Sequence, residues 1–271
     1  MAKVVVVTSG KGGVGKTTTA ASLGAALARE GQRVVLVDFD VGLRNLDLIM
    51  GAERRVVYDV VHVAQGTARL SQALIRDKHV EMLYLLAASQ TRDKDALTDD
   101  GVERVIRELR KSFDWIICDS PAGIERGAML AMRHADQAIV VANAEISSVR
   151  DSDRIIGLLD AKTDSAKRGK SMEKHLLITR FDASRGRRGE MLAIEDILEV
   201  LSIPLLGVIP ESRDVLRASN FGCPVVVSSP SSVPARAYIE ASRRLMGQSI
   251  PLSVHGNRGS FLTRLLGRRA A

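Results

Sequence analysis

The sequence predicts an α/β fold, a doubly wound and mainly parallel sheet with helices on both faces. Three observations predict it. Short aliphatic runs near residues 4–7, 33–37, 82–87, 113–118, 137–142, 176–179 and 205–209 read as strands buried on both faces. Helical patterns fall between many of these runs, as crossover connections require. A glycine-rich loop joins the first run to the first helical stretch, where such folds bind phosphate. The length of 271 residues suits one such domain, and 45% apolar residues supply a large core. Only 3% are aromatic, so aliphatic side chains must do the packing.

The first run, Val4–Val7, leads through Thr8 and Ser9 into Gly10-Lys11-Gly12-Gly13-Val14-Gly15-Lys16-Thr17. An Ala-rich helix follows to Arg29, with Gly31 as its stop. The loop fits G-x-x-x-x-G-K-[ST] at Gly10, Gly15, Lys16 and Thr17, which makes this a P-loop NTPase pattern. Glycines let backbone N–H groups turn inward onto phosphate oxygens, and the helix presents its positive end to the same anion. The expected cradle comprises Gly10, Lys11, Gly12, Gly13, Val14, Gly15, Lys16, Thr17 and Thr18. Lys16 would reach the β- and γ-phosphates, and the Thr17 hydroxyl would ligate Mg²⁺.

Arg33–Val37 ends at Asp38, followed by Phe39 and Asp40, which puts two carboxylates at the carboxyl end of a strand beside the loop. Residues 51–74 mix short helical patterns with turns, Met82–Ala87 is a strand, and 89–99 reads as a loop. A helix is expected from Asp100, with Asp100 and Glu103 as a capping box and Val105, Ile106 and Leu109 on its buried face. Phe113–Asp119 is an apolar strand ending in an acid, the Walker B arrangement, so Asp119 would hold Mg²⁺. After the strand Gln137–Ala142, a helix buries Ile155, Ile156, Leu158 and Leu159. Residues 162–188 are strongly basic around a short strand, Leu176–Thr179. Met191–Leu201 is an amphipathic helix, Leu205–Ile209 a strand, Val215–Asn220 a helix, 224–234 a turn-rich connection, and 234–246 the last scaffold helix.

Composition limits the remaining choices. Cys118 and Cys223 form no C-x-x-C, which argues against a zinc site, an iron–sulfur bridge or a disulfide framework, and points to a reduced cytosol. No apolar run approaches the ~20 residues that span a bilayer. The net charge is +7, and residues 251–271 carry four arginines and no acid. Residues 248–259 are rich in Gly, Ser, Pro and Asn and read as a flexible tether between a domain over 1–247 and a tail over 260–271. In that tail Phe261, Leu262, Leu265 and Leu266 share one helical side, flanked by Arg264 and Arg268. Such a C-terminal amphipathic helix is suited to bury its apolar face in an anionic membrane surface.

The string Lys11-Gly12-Gly13-Val14-Gly15-Lys16-Thr17 resembles the deviant Walker A family of P-loop ATPases. The resemblance extends over nearly the whole chain and is strongest to its septum-site-determining branch. It rests on Asp38-Phe39-Asp40, on Asp119-Ser120-Pro121-Ala122-Gly123-Ile124-Glu125, on residues 147–154 (SSVRDSDR), and on Phe261-Leu262-Thr263-Arg264-Leu265-Leu266. The resemblance implies ATP with Mg²⁺ and an ATP-dependent homodimer in which Lys11 reaches the partner's nucleotide. It implies that Asp40 orients the hydrolytic water and that Asp38 lies near the metal. It implies that Arg180, Pro210 and Glu211 approach the base. Asp182 stands where the family has asparagine, which puts base recognition by residue 182 in doubt, since a carboxylate has no N–H to donate. Ser147, Asp151 and Asp153 would contact a MinC-like inhibitor and a MinE-like activator. The implied site of action is the cytoplasmic face of the inner membrane, and nucleic acid is not expected as a partner. The alternative is a ParA-like DNA-partition ATPase or a flagellar-number regulator of the same fold, which the basic stretch 162–188 would suit.

Overall fold

The computed structural model describes residues 2–92, 96–167, 169 and 171–253. Eight strands form one sheet: β1 Lys3–Thr8, β2 Val34–Asp38, β3 Ile75–Arg76, β4 Leu83–Leu86, β5 Trp115–Asp119, β6 Gln137–Ala142, β7 Glu173–Phe181 and β8 Leu205–Pro210. Their spatial order is β3-β4-β2-β5-β1-β6-β7-β8. Every pairing is parallel except β3 with β4. The two-residue β3 is an antiparallel edge that the sequence pattern did not suggest, because so short a segment has no periodicity to read.

Alternation along each strand divides the core. Val4 and Val6 face one layer of helices, while Val5 and Val7 face the other. The first layer includes the helices Asp99–Leu109, Arg126–Arg133, Ile146–Lys162 and Ile194–Leu201. The second is built on the helices Lys16–Arg29 and Val233–Leu245. Lys16–Arg29 packs directly on the sheet, since a Cβ added at Gly24 would lie 2.4 Å from Leu36 Cδ2. The doubly wound parallel architecture is therefore the expected one.

Several boundaries differ from the sequence pattern. The helix expected from Asp100 begins at Asp99, and its cap is the Thr98 hydroxyl, which accepts from the Gly101 N–H at 3.2 Å. No capping box forms between Asp100 and Glu103, because both already lie inside the helix. β7 extends well beyond Leu176–Thr179 at both ends, since a strand paired on two sides tolerates polar residues there. The helix near Met191 starts only at Ile194, and that near Val215 starts at Arg213, capped by Ser212. The connection 224–234 contains a short helix, Val225–Ser228. In Ile146–Lys162, Ile155 and Leu159 are fully buried, whereas Ile156 and Leu158 are half-buried.

The topology places the carboxyl ends of β1, β2, β5, β6, β7 and β8 along one rim. The phosphate loop, Asp38, Asp119, Asn143, Arg180 and Pro210 all stand on it.

Candidate functional site

The glycine loop is braced from three sides. Gly15 adopts φ 92°, a left-handed conformation open to glycine at little cost, just before the helix begins at Lys16. The Ser9 hydroxyl donates to the Lys11 carbonyl at 2.7 Å and accepts from Lys16 Nζ at 3.1 Å. On the β7 side, the buried Thr179 hydroxyl donates to the Val14 carbonyl at 2.6 Å, with Asn143 Oδ1 3.0 Å away. On the third side the backbone of Asp151 presses on Gly10 so closely that an added Cβ would lie 2.3 Å from its carbonyl oxygen.

Below the loop three acids and a lysine converge. Asp38 and Asp119 are register partners at the ends of β2 and β5, and both are buried. Asp38 spends both oxygens on backbone N–H groups, of Asp40 at 2.8 Å and Leu46 at 3.3 Å. Burial and the neighbouring Asp119 push its carboxyl well above the usual range. Burial also raises Asp119 to about 7, opposed by a hydrogen bond from the Thr17 hydroxyl and by the Lys16 ammonium. The other Asp119 oxygen, Oδ1, is buried with no hydrogen-bond partner. Lys16 is itself buried, which lowers its pKa, while Asp119 and Asp40 act to raise it. Asp40 sits half-buried in the loop after β2, and with Pro121 and Glu125 it lines a narrow cavity where the loops after β2 and β5 meet. A buried acid pair with an orphaned oxygen and a threonine hydroxyl is a donor set that fits Mg²⁺.

Lys11 points away from this cluster. Its ammonium pairs with Glu145 at 2.8 Å and donates to the Ser147 hydroxyl at 3.1 Å, both at the start of the Ile146–Lys162 helix. That hydrogen bond and charge hold the Glu145 carboxyl below the usual range. Glu145 carried no signal in the sequence, because its proximity to Lys11 exists only after β6 is laid beside β1. Of the other residues expected at a partner face, Asp153 is exposed and Asp151 half-buried on the same helix.

A pocket of about 300 Å³ opens beside the loop. Gly13, Val14, Gly15, Thr18, Arg180, Pro210 and Glu211, all expected around the nucleotide, line it. Arg180 spans its edge, with Nε 3.0 Å from Glu211 and Nη1 donating to the Gly13 carbonyl at 3.3 Å. It does so from a left-handed backbone, φ 54°, unusual for arginine. Ile209, Val215, Leu216 and Tyr238 complete an apolar wall that the sequence did not announce. Asp182 is not among the lining residues; its Oδ1 caps a short helix by accepting from the Ser184 and Arg185 N–H groups. Phe261, Leu262, Arg264, Leu265, Leu266 and Arg268 lie outside the described residues, as do residues 254–259 of the tether.

With this geometry in view, comparisons with known proteins are informative. Residues 5–225 match the model of the CobQ/CobB/MinD/ParA nucleotide binding domain. A septum site-determining protein MinD from Neisseria meningitidis is 56% identical, over 98% of this chain and 100% of that protein. The MinC:MinD cell division protein complex of Aquifex aeolicus superposes with a TM-score of 0.83 at 41% identity, covering 93% of this chain and 99% of that one. A septum site-determining MinD complexed with Mg-ADP from Pyrococcus horikoshii gives 0.80 at 30% identity, covering 92% and 100%. The brace on the phosphate loop, the acids at the ends of β2 and β5 and the full-length similarity agree, and the chain belongs to the CobQ/CobB/MinD/ParA nucleotide-binding family, in its septum-site-determining MinD branch.

Proposed function

We propose that this chain is an ATPase whose nucleotide state decides whether it is a membrane-bound dimer or a free monomer, and that it thereby positions a division inhibitor away from or at the septum. The observation that carries the reading is the convergence of Lys16, Thr17, Asp38, Asp40 and Asp119 at one end of the sheet, under a braced phosphate loop. The Mg-ADP found in the related Pyrococcus protein supports the same ligand class here.

Thr17 and Asp119 would hold Mg²⁺, with Asp38 behind them. When bound, the ion offsets negative charge on the phosphates. The loop N–H groups and Lys16 bind and orient the triphosphate, so its terminal phosphorus faces Asp40. Asp40 aligns a water and takes up its proton as the oxygen attacks that phosphorus. The bond to the bridging oxygen breaks, and ADP and phosphate leave. Charge gathering on the bridging oxygen is met by Lys16 and by Lys11 of the second copy. In the free chain Lys11 is engaged by Glu145, so joining a partner exchanges one anion for another. The base would lie in the pocket beside Arg180, Pro210 and Glu211.

The tail gives this cycle its output. One short amphipathic segment at 260–271 binds lipid weakly, whereas two in a dimer share effective concentration and hold. The chain is cytoplasmic and joins the inner membrane in its ATP state. The Aquifex MinC:MinD complex supports a MinC-like partner, for which Ser147, Asp151 and Asp153 offer the contact face, and a MinE-like activator would trigger release. DNA partition is less well supported. In the described part of the basic stretch, Lys174 pairs with Asp160, Arg185 and Arg188 with Glu190, and Arg180 with Glu211, so part of its charge is offset locally.

Sedimentation with anionic vesicles tests the reading, comparing the full chain with one ending at Gly259, in ATP and in ADP. Co-pelleting in ATP alone, lost on truncation, is expected. A full chain that stays in the supernatant in both nucleotides would overturn it.

A further inference from the structure

At the amino-terminal end of the strands, far from the phosphate loop, lies a cleft of about 970 Å³ that no part of the ATPase cycle uses. Arg33, Arg69, Arg104, Arg107 and Lys111 surround it, and Glu108 is the one acidic side chain lining it among the described residues. Its floor is apolar, formed by Leu70, Leu74, Tyr84 and Phe113. Arg33 is held in place by the rings beneath, its guanidinium 5.3 Å from the Phe113 centroid and 5.7 Å from that of Tyr84. Arg104 is tied to the Ala64 carbonyl at 2.6 Å. The side chains of Arg107, in the last turn of the Asp99–Leu109 helix, and of Lys111, just beyond it, are exposed and make no hydrogen bond or ion pair among the described residues. Like charges gathered around an apolar floor repel one another until an anion arrives. An anion with an apolar body would satisfy both parts.

The course of the chain says which anion. The Val233–Leu245 helix runs alongside Lys16–Arg29 in the same direction. Tyr238 meets Thr19 at 3.2 Å near the phosphate loop, and Arg243 meets Glu30 at 2.7 Å at the far end. Arg244 then holds the carbonyls of Ile250 and Pro251 at 2.9 and 2.6 Å. The chain therefore departs toward residues 254–271 from the end of the sheet that carries Arg33 and the cleft, although from the opposite face. Residues 254–259 can span at most about 20 Å, so a bilayer bound by that tail is within reach of this end of the molecule. The tail itself is a poor occupant, since residues 251–271 are purely cationic.

We infer that this cleft is a second lipid contact, in which Arg69, Arg107 and Lys111 pair with the phosphate of an anionic phospholipid while its glycerol and first acyl carbons rest on Leu70, Leu74 and Phe113. The inference rests on the membrane reading above. Its effect is to orient the protein on the bilayer and to make binding depend on the density of anionic lipid more steeply than the tail alone would.

The test is ATP-dependent sedimentation of the full chain with phosphatidylcholine vesicles containing increasing phosphatidylglycerol. The variant is Arg107→Ala/Lys111→Ala, with Arg107→Lys/Lys111→Arg as a charge-preserving control and thermal midpoints checked for both. At about 1 kcal/mol per cation at the surface, the alanine pair should weaken binding about thirtyfold for each chain of the dimer whose cleft meets the bilayer, and the control should bind like the parent. Parent-like binding by the alanine pair overturns the inference but leaves the tail reading intact, and is also the result if the cleft serves an acidic polypeptide. A parent chain that ignores vesicles overturns both. Glycerol 3-phosphate is added in a parallel arm. If it raises the thermal midpoint of the parent but not of the alanine pair, while vesicle affinities stay equal, the cleft serves a soluble phosphate and not lipid.

Discussion

Asp119→Asn should stabilise the nucleotide-free protein while disabling its metal site. In the fold this carboxyl is raised to about 7 from a reference value of 3.8. A carboxyl whose pKa rises on folding costs stability. The cost is absent below pH 3.8, grows as pH rises from there to 7, and is complete above 7. At 1.36 kcal/mol per unit, the full cost is about 4 kcal/mol as an upper bound. The amide avoids this charge but buries an N–H₂ group that needs partners, at a penalty of about 1–3 kcal/mol that does not vary with pH. The difference between two pH values therefore isolates the charge. Between pH 5 and pH 8 the advantage of Asn over Asp should grow by about 2–3 kcal/mol. Urea unfolding in EDTA at both pH values, fitted with a common slope, reads it directly. Mg²⁺–ADP should then stabilise the parent at pH 8 and stabilise the variant much less. An Asn variant whose advantage is the same at pH 5 and pH 8 would refute the reasoning, because Asp119 would then be fully ionised in the fold already at pH 5.

Other consequences follow from the same geometry. Gly10→Ala drives a Cβ to 2.3 Å from the Asp151 carbonyl, so it should cost about 1–3 kcal/mol and lower nucleotide affinity, whereas Gly12→Ala meets nothing within 4 Å and should leave the thermal midpoint unchanged. Glu145→Gln should release Lys11 from its ion pair. Both side chains are well exposed, so the gain is limited to about 0–1 kcal/mol per chain, and with one pair given up by each chain the dimer affinity improves by about thirtyfold at most in ATP titrations. Arg180→Ala removes a clasp between Gly13 and Glu211 and should speed the release of a fluorescent ADP analogue in stopped flow, with little change in folding stability.

The order in which the sequence became legible has physical reasons. The phosphate loop, Asp38 and Asp119 were visible because strand, glycine and acid follow one another in the chain, and the parallel sheet brings their strand ends together. The apolar wall of the base pocket was not visible. Ile209, Val215 and Tyr238 are ordinary core residues by type, and they adjoin the loop only through the crossovers between β7, β8 and the last helix. Glu145 was hidden for the same reason, its partner being 134 residues away. Asp182 departs from the family's asparagine, and its role as a helix cap depends on a chain turn after β7 that no residue pattern marks. The cationic cleft draws Arg33, Arg69 and Arg107 from three separate segments that meet only in the fold.

The account depends most on one chain completing the site of another. Sedimentation velocity of Asp40→Ala, which should retain ATP without hydrolysing it, measures that directly when repeated with Lys11→Ala/Asp40→Ala. The first protein should be a dimer in ATP and a monomer in ADP, and the second a monomer in both. A Lys11→Ala/Asp40→Ala chain that dimerises in ATP as readily as its parent would contradict it.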